Sequence, residues 1–154
     1  DPVRPSGVSS TDTEHEAARA HARRIRTWLG EQGFPDPVVA DSGNGAHLLY
    51  RIDLPNDDES TELVKGCLAV LDTLFSDGTV SVDAANFNAA RIWKLYGTTS
   101  KKGDNTASRP HRQSCIIAVP EEVNVVPIEQ LRHLASVTGG VKFPTFGGIK
   151  IPTR

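Results

Sequence analysis

Residues 40–53 read ADSGNGAHLLYRID, where two glycines flank an asparagine before a histidine enters an alternating apolar run. A glycine-rich turn that cradles phosphate ordinarily opens a helix, whose free backbone N–H groups and dipole favour an anion. This one opens a strand. From Ala46 the side chains alternate, so His47, Leu49, Arg51 and Asp53 share one face, and Leu48, Tyr50 and Ile52 share the apolar face expected to meet the core. His47 then stands beside the turn, with Ser42 across the hairpin. Two readings stay open here. His47 is satisfied by a neighbouring backbone group, or Gly43 and Gly45 let the backbone approach a phosphate to which Ser42 and His47 donate hydrogen bonds.

Asp83 closes the β-like run GTVSVDA. A carboxylate at a strand end can cap a helix. It can also hold magnesium, which takes oxygens from one or two carboxylates and from substrate phosphates. Asp1 is the candidate partner. If residues 86–95 are helical, Asn88, Arg91 and Lys94 or Leu95 fall on one face, Gly97 stops the helix, and Lys101 and Lys102 lie in a loop. That face is either plain solvent exposure or a triphosphate surface beside the metal ligand. Charge distribution sharpens the choice. Residues 53–83 carry eight acids against Lys65, a net of −7. Residues 91–112 carry six bases (Arg91, Lys94, Lys101, Lys102, Arg109 and Arg112) against Asp104, a net of +5. Such a basic run is a solvated face or a surface for phosphates.

The elements that must position these residues are legible from periodicity. Thr11 and Glu14 form a capping box, and Ala18, Ala22, Ile25 and Leu29 recur at helical spacing, which predicts a helix over 12–31 ended by Gly30 or Gly33. Two short strands joined by SGNG predict a hairpin. Acids at 57–59, then Leu63, Val64, Leu68, Leu71, Leu74 and Phe75, predict a second helix over 57–75. A strand at SCIIAVP and a short helix with Pro127 at its first position follow. The expected organisation is one module over 1–137 and a Gly/Pro-rich tail or linker over 138–154.

The chain of 154 residues, 38% of them hydrophobic, is long enough to bury a core without disulfides or a structural metal. Cys67 and Cys115 form no C-x-x-C pair and have no histidine at zinc spacing, which argues against zinc. No apolar run approaches the ~20 residues of a membrane span, and the start DPVRPSG has no signal-peptide core, so a cytoplasmic location without membrane partners is expected. The order helix, hairpin, helix, strand predicts an α+β fold, a ferredoxin- or RRM-like βαββαβ unit whose first strand precedes Asp1. A fragment of a longer protein is expected.

Taken together, these residues resemble the archaeo-eukaryotic primase superfamily, in particular the primase-polymerase domains of phage, plasmid and mobile-element replication proteins. Asp1 resembles the second aspartate of that family's Asp-x-Asp strand end. SGNGAHLLY, with Ser42 and His47, resembles its Ser-x-His hairpin, Val82 and Asp83 its third motif, and NAARIWKLYGTTSKKGD the basic segment beyond it. The likeness spans residues 1–120. It implies a template-dependent nucleotidyl transferase using Mg²⁺ or Mn²⁺, with Asp1 and Asp83 as metal ligands and His47 joining them in catalysis. Ser42, Gly43, Gly45, His47, Asn88, Arg91, Lys94 and Lys102 would bind the nucleoside triphosphate. Lys101, Lys102, Arg109 and Arg112 would meet a single-stranded DNA template, and a helicase domain in the same parent protein is an implied partner. The rival readings are a catalytically inert RRM-like nucleic-acid-binding module, disfavoured by 6% aromatic content without stacking motifs, and a structural domain of a replication initiator.

Overall fold

The computed structural model describes residues 1–137, and the segment read as a C-terminal tail, 138–154, lies outside them. The described residues form a mixed α+β fold, as expected. Helix α1 runs Asp12–Glu31. Thr11 Oγ1 accepts from the Glu14 N–H at 3.1 Å while the Glu14 carboxylate accepts from the Thr11 N–H at 2.9 Å, the reciprocal cap that its sequence predicts. Ala18, Ala22 and Leu29 are buried on one face. Past Glu31 the chain reverses at Gly33, whose φ of +85° is strained for a residue with a Cβ, and so delivers Phe34 to the core.

Strands β1 (Val38–Asp41) and β2 (Ala46–Leu49) form the expected antiparallel hairpin, with Val38 opposite Leu49 and Asp41 opposite Ala46. Short strands β3 (Thr99–Ser100) and β4 (Arg112–Gln113) pair separately, and β5 (Cys115–Ala118) joins the free side of β1, giving the order β2-β1-β5. Helix α2 (Asp58–Phe75) begins at Asp57, whose carboxylate accepts from the Ser60 N–H at 2.8 Å. Helix α3 (Ile128–Ser136) packs on α2 at Gly66, where a Cβ would sit 3.2 Å from that of Ala135. Leu29, Phe34, Cys67, Val126, Leu131 and Leu134 form the core. Burial pushes the Cys67 thiol up to about 11, so it behaves as a small hydrophobe.

Three expectations give way. The strand ending at Asp83 shrinks to one antiparallel bridge between Pro2 and Val80, flanked by bonds from the Val3 N–H to the Thr79 carbonyl and from the Ser81 N–H to the Asp1 carbonyl. Side chains claim the neighbouring donors. Asp77 accepts from the Thr79 and Val80 N–H groups, and Ser76 Oγ from Val82 N–H. Residues 86–95 form turns followed by irregular backbone rather than a helix. Asp83 accepts from the Ala85 N–H and Asn88 from the Ala90 N–H, so both side chains offer the backbone a local alternative to the helical ladder. Pro127 stands at the N-cap of α3, one place before the predicted first helical position.

No helix among the described residues is long and apolar enough to cross a membrane. Leu29 is 2% exposed in the main cluster, so Leu29→Ala should lower the unfolding free energy by about 3 kcal/mol in urea titration. A loss under about 1 kcal/mol would place the core elsewhere.

Candidate functional site

The hairpin turn is held from inside. Ser42 Oγ donates to the Gly45 carbonyl at 3.2 Å and accepts from the Gly45 N–H at 2.9 Å, while the Asp41 carboxylate accepts from the Gly43 N–H at 2.6 Å. His15 Nε2 reaches the same carboxylate at 2.9 Å. Desolvation pushes the Asp41 carboxyl up, but these hydrogen bonds outweigh it and hold it below the usual range. At the tip, the buried Asn44 carboxamide accepts from the Ser10 N–H at 2.8 Å and donates to Ser100 Oγ at 2.8 Å.

The turn glycines answer to protein neighbours. Gly43 has φ +86°, and a Cβ there would lie 2.7 Å from the Arg112 carbonyl oxygen. A Cβ on Gly45 would lie 2.5 Å from Asp1 Oδ1 and 3.3 Å from Asp1 Cα. The expected close approach of backbone to a phosphate is therefore, in this structure, a close approach of β4 to Gly43 and of Asp1 to Gly45. Ser42 is likewise engaged within the turn.

Beside the hairpin lies a cavity of about 390 Å³ between β2, α1 and α2. Its walls are apolar, with Ala18, Ile25, Leu48, Leu68 and Leu71 among them, and the Tyr50 hydroxyl, buried without a hydrogen-bond partner among the described residues, belongs to a lining side chain. Asp1, His47, Asp83 and Trp93 also line it. The His47 ring lies 4.8 Å from the Trp93 ring, and its Nδ1 is 2.7 Å from the Tyr96 hydroxyl. Burial pushes the His47 pKa below its usual value, helped by the α-ammonium group and Lys94 and opposed by Asp41 and Asp83. Asp83 Oδ2 is 3.4 Å from Arg91 Nη2, both side chains being nearly half exposed. Asp1, His47, Asp83, Arg91 and Lys94 thus gather in one neighbourhood. Among the described residues no three or more His, Cys, Asp or Glu side chains converge as a metal-holding group.

The basic run divides. Arg109 forks onto both oxygens of Glu14 at 2.9 and 3.0 Å and reaches the Ser9 carbonyl at 2.6 Å. Arg112 bonds Asp12 at 2.6 Å and the Ser10 carbonyl at 2.9 Å. Both read from sequence as template contacts. Instead they clamp the start of α1, because a planar guanidinium satisfies carboxylate and carbonyl together. Lys101 and Lys102 are exposed. Asn88 is exposed too, its side-chain Oδ1 accepting from the Ala90 N–H.

Sequence reasoning missed Asn44, the His15–Asp41 pair, and the Trp93 and Tyr96 side chains against His47. Only the last left a signal: two aromatics three apart in a segment that also carries Arg91 and Lys94. Comparison with protein-family models, with curated proteins and with solved structures found no match.

Hydrogen bonds from Arg109 hold the Glu14 carboxyl below its ordinary 4.5. A carboxylate whose pKa is depressed in the folded state stabilises the fold above its unfolded value and loses that contribution as pH falls through the folded one. Arg109→Ala should therefore cost about 1–2 kcal/mol at neutral pH, a difference that narrows toward about pH 3. Urea titrations of both proteins at the two pH values check this. A pH-independent difference would assign the arginine's contribution to the Ser9 carbonyl alone.

Proposed function

We propose that the cavity mouth binds a nucleoside triphosphate with a divalent cation, and that the chain is the nucleotide-handling part of a primase-polymerase-type nucleotidyl transferase. The observation that carries this reading is the gathering of two carboxylates, Asp1 and Asp83, with His47 and Trp93 around one cavity, flanked by Arg91 and Lys94. The fold is compatible with it. Residues 79–81 bridge residues 1–3, Asp1 abuts Gly45 at the start of β2, and β2 pairs with β1. A ferredoxin-like sheet would further require the segment at Asp1 to pair with β2 as a strand, and here the two meet only as a close contact at Gly45.

The donor set suits Mg²⁺ or Mn²⁺, hard cations that take few protein carboxylates and complete their shell with phosphate and water. Asp1 and Asp83 would hold it, and when bound it supplies charge neutralisation for the phosphates and activation of an attacking hydroxyl. The chain's own residues do the rest. His47 donates to a phosphate oxygen, and Lys94 and Arg91 neutralise phosphate charge. Trp93, 42% exposed, offers a face on which a base can stack. Lys101 and Lys102, exposed in the loop beyond, suit a single-stranded template.

A second reading, a binding module without catalysis, draws on the exposure of Ile92 and Leu95 beside Trp93, at 95% and 75%. Calorimetric titration with ATP or dATP separates the two. With Mn²⁺ present the protein should bind nucleotide. His47→Ala should weaken binding roughly tenfold to a hundredfold, the worth of one hydrogen bond to a charged group. Asp83→Ala should abolish the Mn²⁺ dependence and leave single-stranded DNA binding intact. Absence of metal-dependent nucleotide binding would defeat the transferase reading.

The lysines have a separate signature. Replacing Lys101 and Lys102 by alanine should weaken single-stranded DNA binding and flatten its log–log salt dependence by about 1.4 units, for two lost phosphate contacts. An unchanged slope would remove them from the template surface.

A further inference from the structure

The hydroxyl oxygen of Tyr96 lies between two nitrogens, Nδ1 of His47 at 2.7 Å and Nε1 of Trp93 at 3.1 Å. An indole N–H only donates, so Trp93 takes a lone pair on the phenol oxygen. That phenol is protonated across the neutral range, and burial raises its pKa further. Among the described residues, the acceptor within reach of its proton is Nδ1 of His47. Burial also favours the neutral imidazole, in which one ring nitrogen accepts and the other carries the hydrogen. The opposite tautomer would aim two N–H groups at one phenol oxygen and leave the phenol's own proton without an acceptor among the described residues. Nε2 makes no hydrogen bond among the described residues.

We infer that Tyr96, braced by Trp93, is a positioning residue that fixes His47 as the Nε2–H tautomer, so that the neutral ring presents a hydrogen-bond donor to a phosphate oxygen of a nucleotide. The ligand in this statement rests on the function proposed above; the tautomer does not. The arrangement lets the ring bind an anion without first gaining a charge beside Lys94 and Arg91. It also explains why two aromatic side chains crowd a histidine that a strand alone would leave free to rotate.

The tautomer is read directly from long-range ¹H–¹⁵N spectra of the nucleotide-free protein labelled with ¹⁵N-histidine, with His47 assigned by its loss in a His47→Gln sample. The expected pattern is a protonated Nε2 and a bare Nδ1. In Tyr96→Phe, with the backbone spectrum otherwise preserved, the two nitrogens should move toward averaged shifts. A protonated Nδ1 in the unsubstituted protein, or a pattern unmoved by Tyr96→Phe, overturns the inference.

The donor role has its own test, binding of ATP with Mn²⁺. The Gln amide nitrogen stands near the place of Nε2 and that of Asn near Nδ1, so His47→Gln should bind within about threefold of the parent while His47→Asn loses roughly tenfold or more. Equal losses in both overturn the donor role. If the unsubstituted protein binds no nucleotide while its tautomer still depends on Tyr96, the proposed function fails and the positioning stands. If it binds nucleotide with a tautomer indifferent to Tyr96, the positioning fails and the proposed function stands.

Discussion

The Asn44 carboxamide joins three segments remote in sequence. It accepts from the Ser10 backbone and donates to Ser100 Oγ, 34 and 56 residues away, at a position 3% exposed to solvent. Ser10 itself is fully buried, so its N–H has no water to fall back on, and a lost partner leaves a desolvated donor costing about 1–3 kcal/mol. The loop entering α1, the hairpin tip and β3 therefore hold one another. Positions of Asp1 and Arg112 follow from the same junction, since each packs against a glycine beside Asn44.

With the junction fixed, the chemistry of the cations decides which of them are committed. Arg109 and Arg112 sit where carboxylates and carbonyls at the start of α1 converge, and a fork of donors satisfies several acceptors at once. Lysines carry a compact, strongly hydrated charge on a long stem and gain little from such a place. Lys101 and Lys102 stay in solvent. The net charge of the segment says nothing of this division, because it counts charges and not partners.

The same distinction marks what sequence could and could not reveal. Helix α1, the hairpin and α2 were legible because a capping box, alternation and a 3.6-residue period are local signals that tertiary structure reinforced. Residues 79–95 were not. Their pattern suited a strand and a helix, yet Asp77, Asp83 and Asn88 spend their side chains on nearby N–H groups, an outcome that propensity registers only weakly. At the candidate site, His47 and Asp83 stood out by residue type and place. The neighbours that shape His47, Trp93 and Tyr96, lie 46 and 49 residues further on, and no short-range pattern predicts a contact across that distance.

Two arginine–carboxylate pairs in the molecule differ in geometry and in consequence. Arg109 meets Glu14 through two short bonds, with both side chains about a quarter exposed and a buried serine carbonyl completing the fork. Arg91 meets Asp83 through one contact at 3.4 Å, with 42% and 45% of the two side chains in solvent. A pair of the second kind is worth about 0–1 kcal/mol, less than one hydrogen bond to a charged group. Asp83 and Arg91 can thus part from one another at small cost. The weak pair stands beside the cavity that Asp83 lines and the strong one at the clamp on α1, so the charges held most loosely are those next to the cavity.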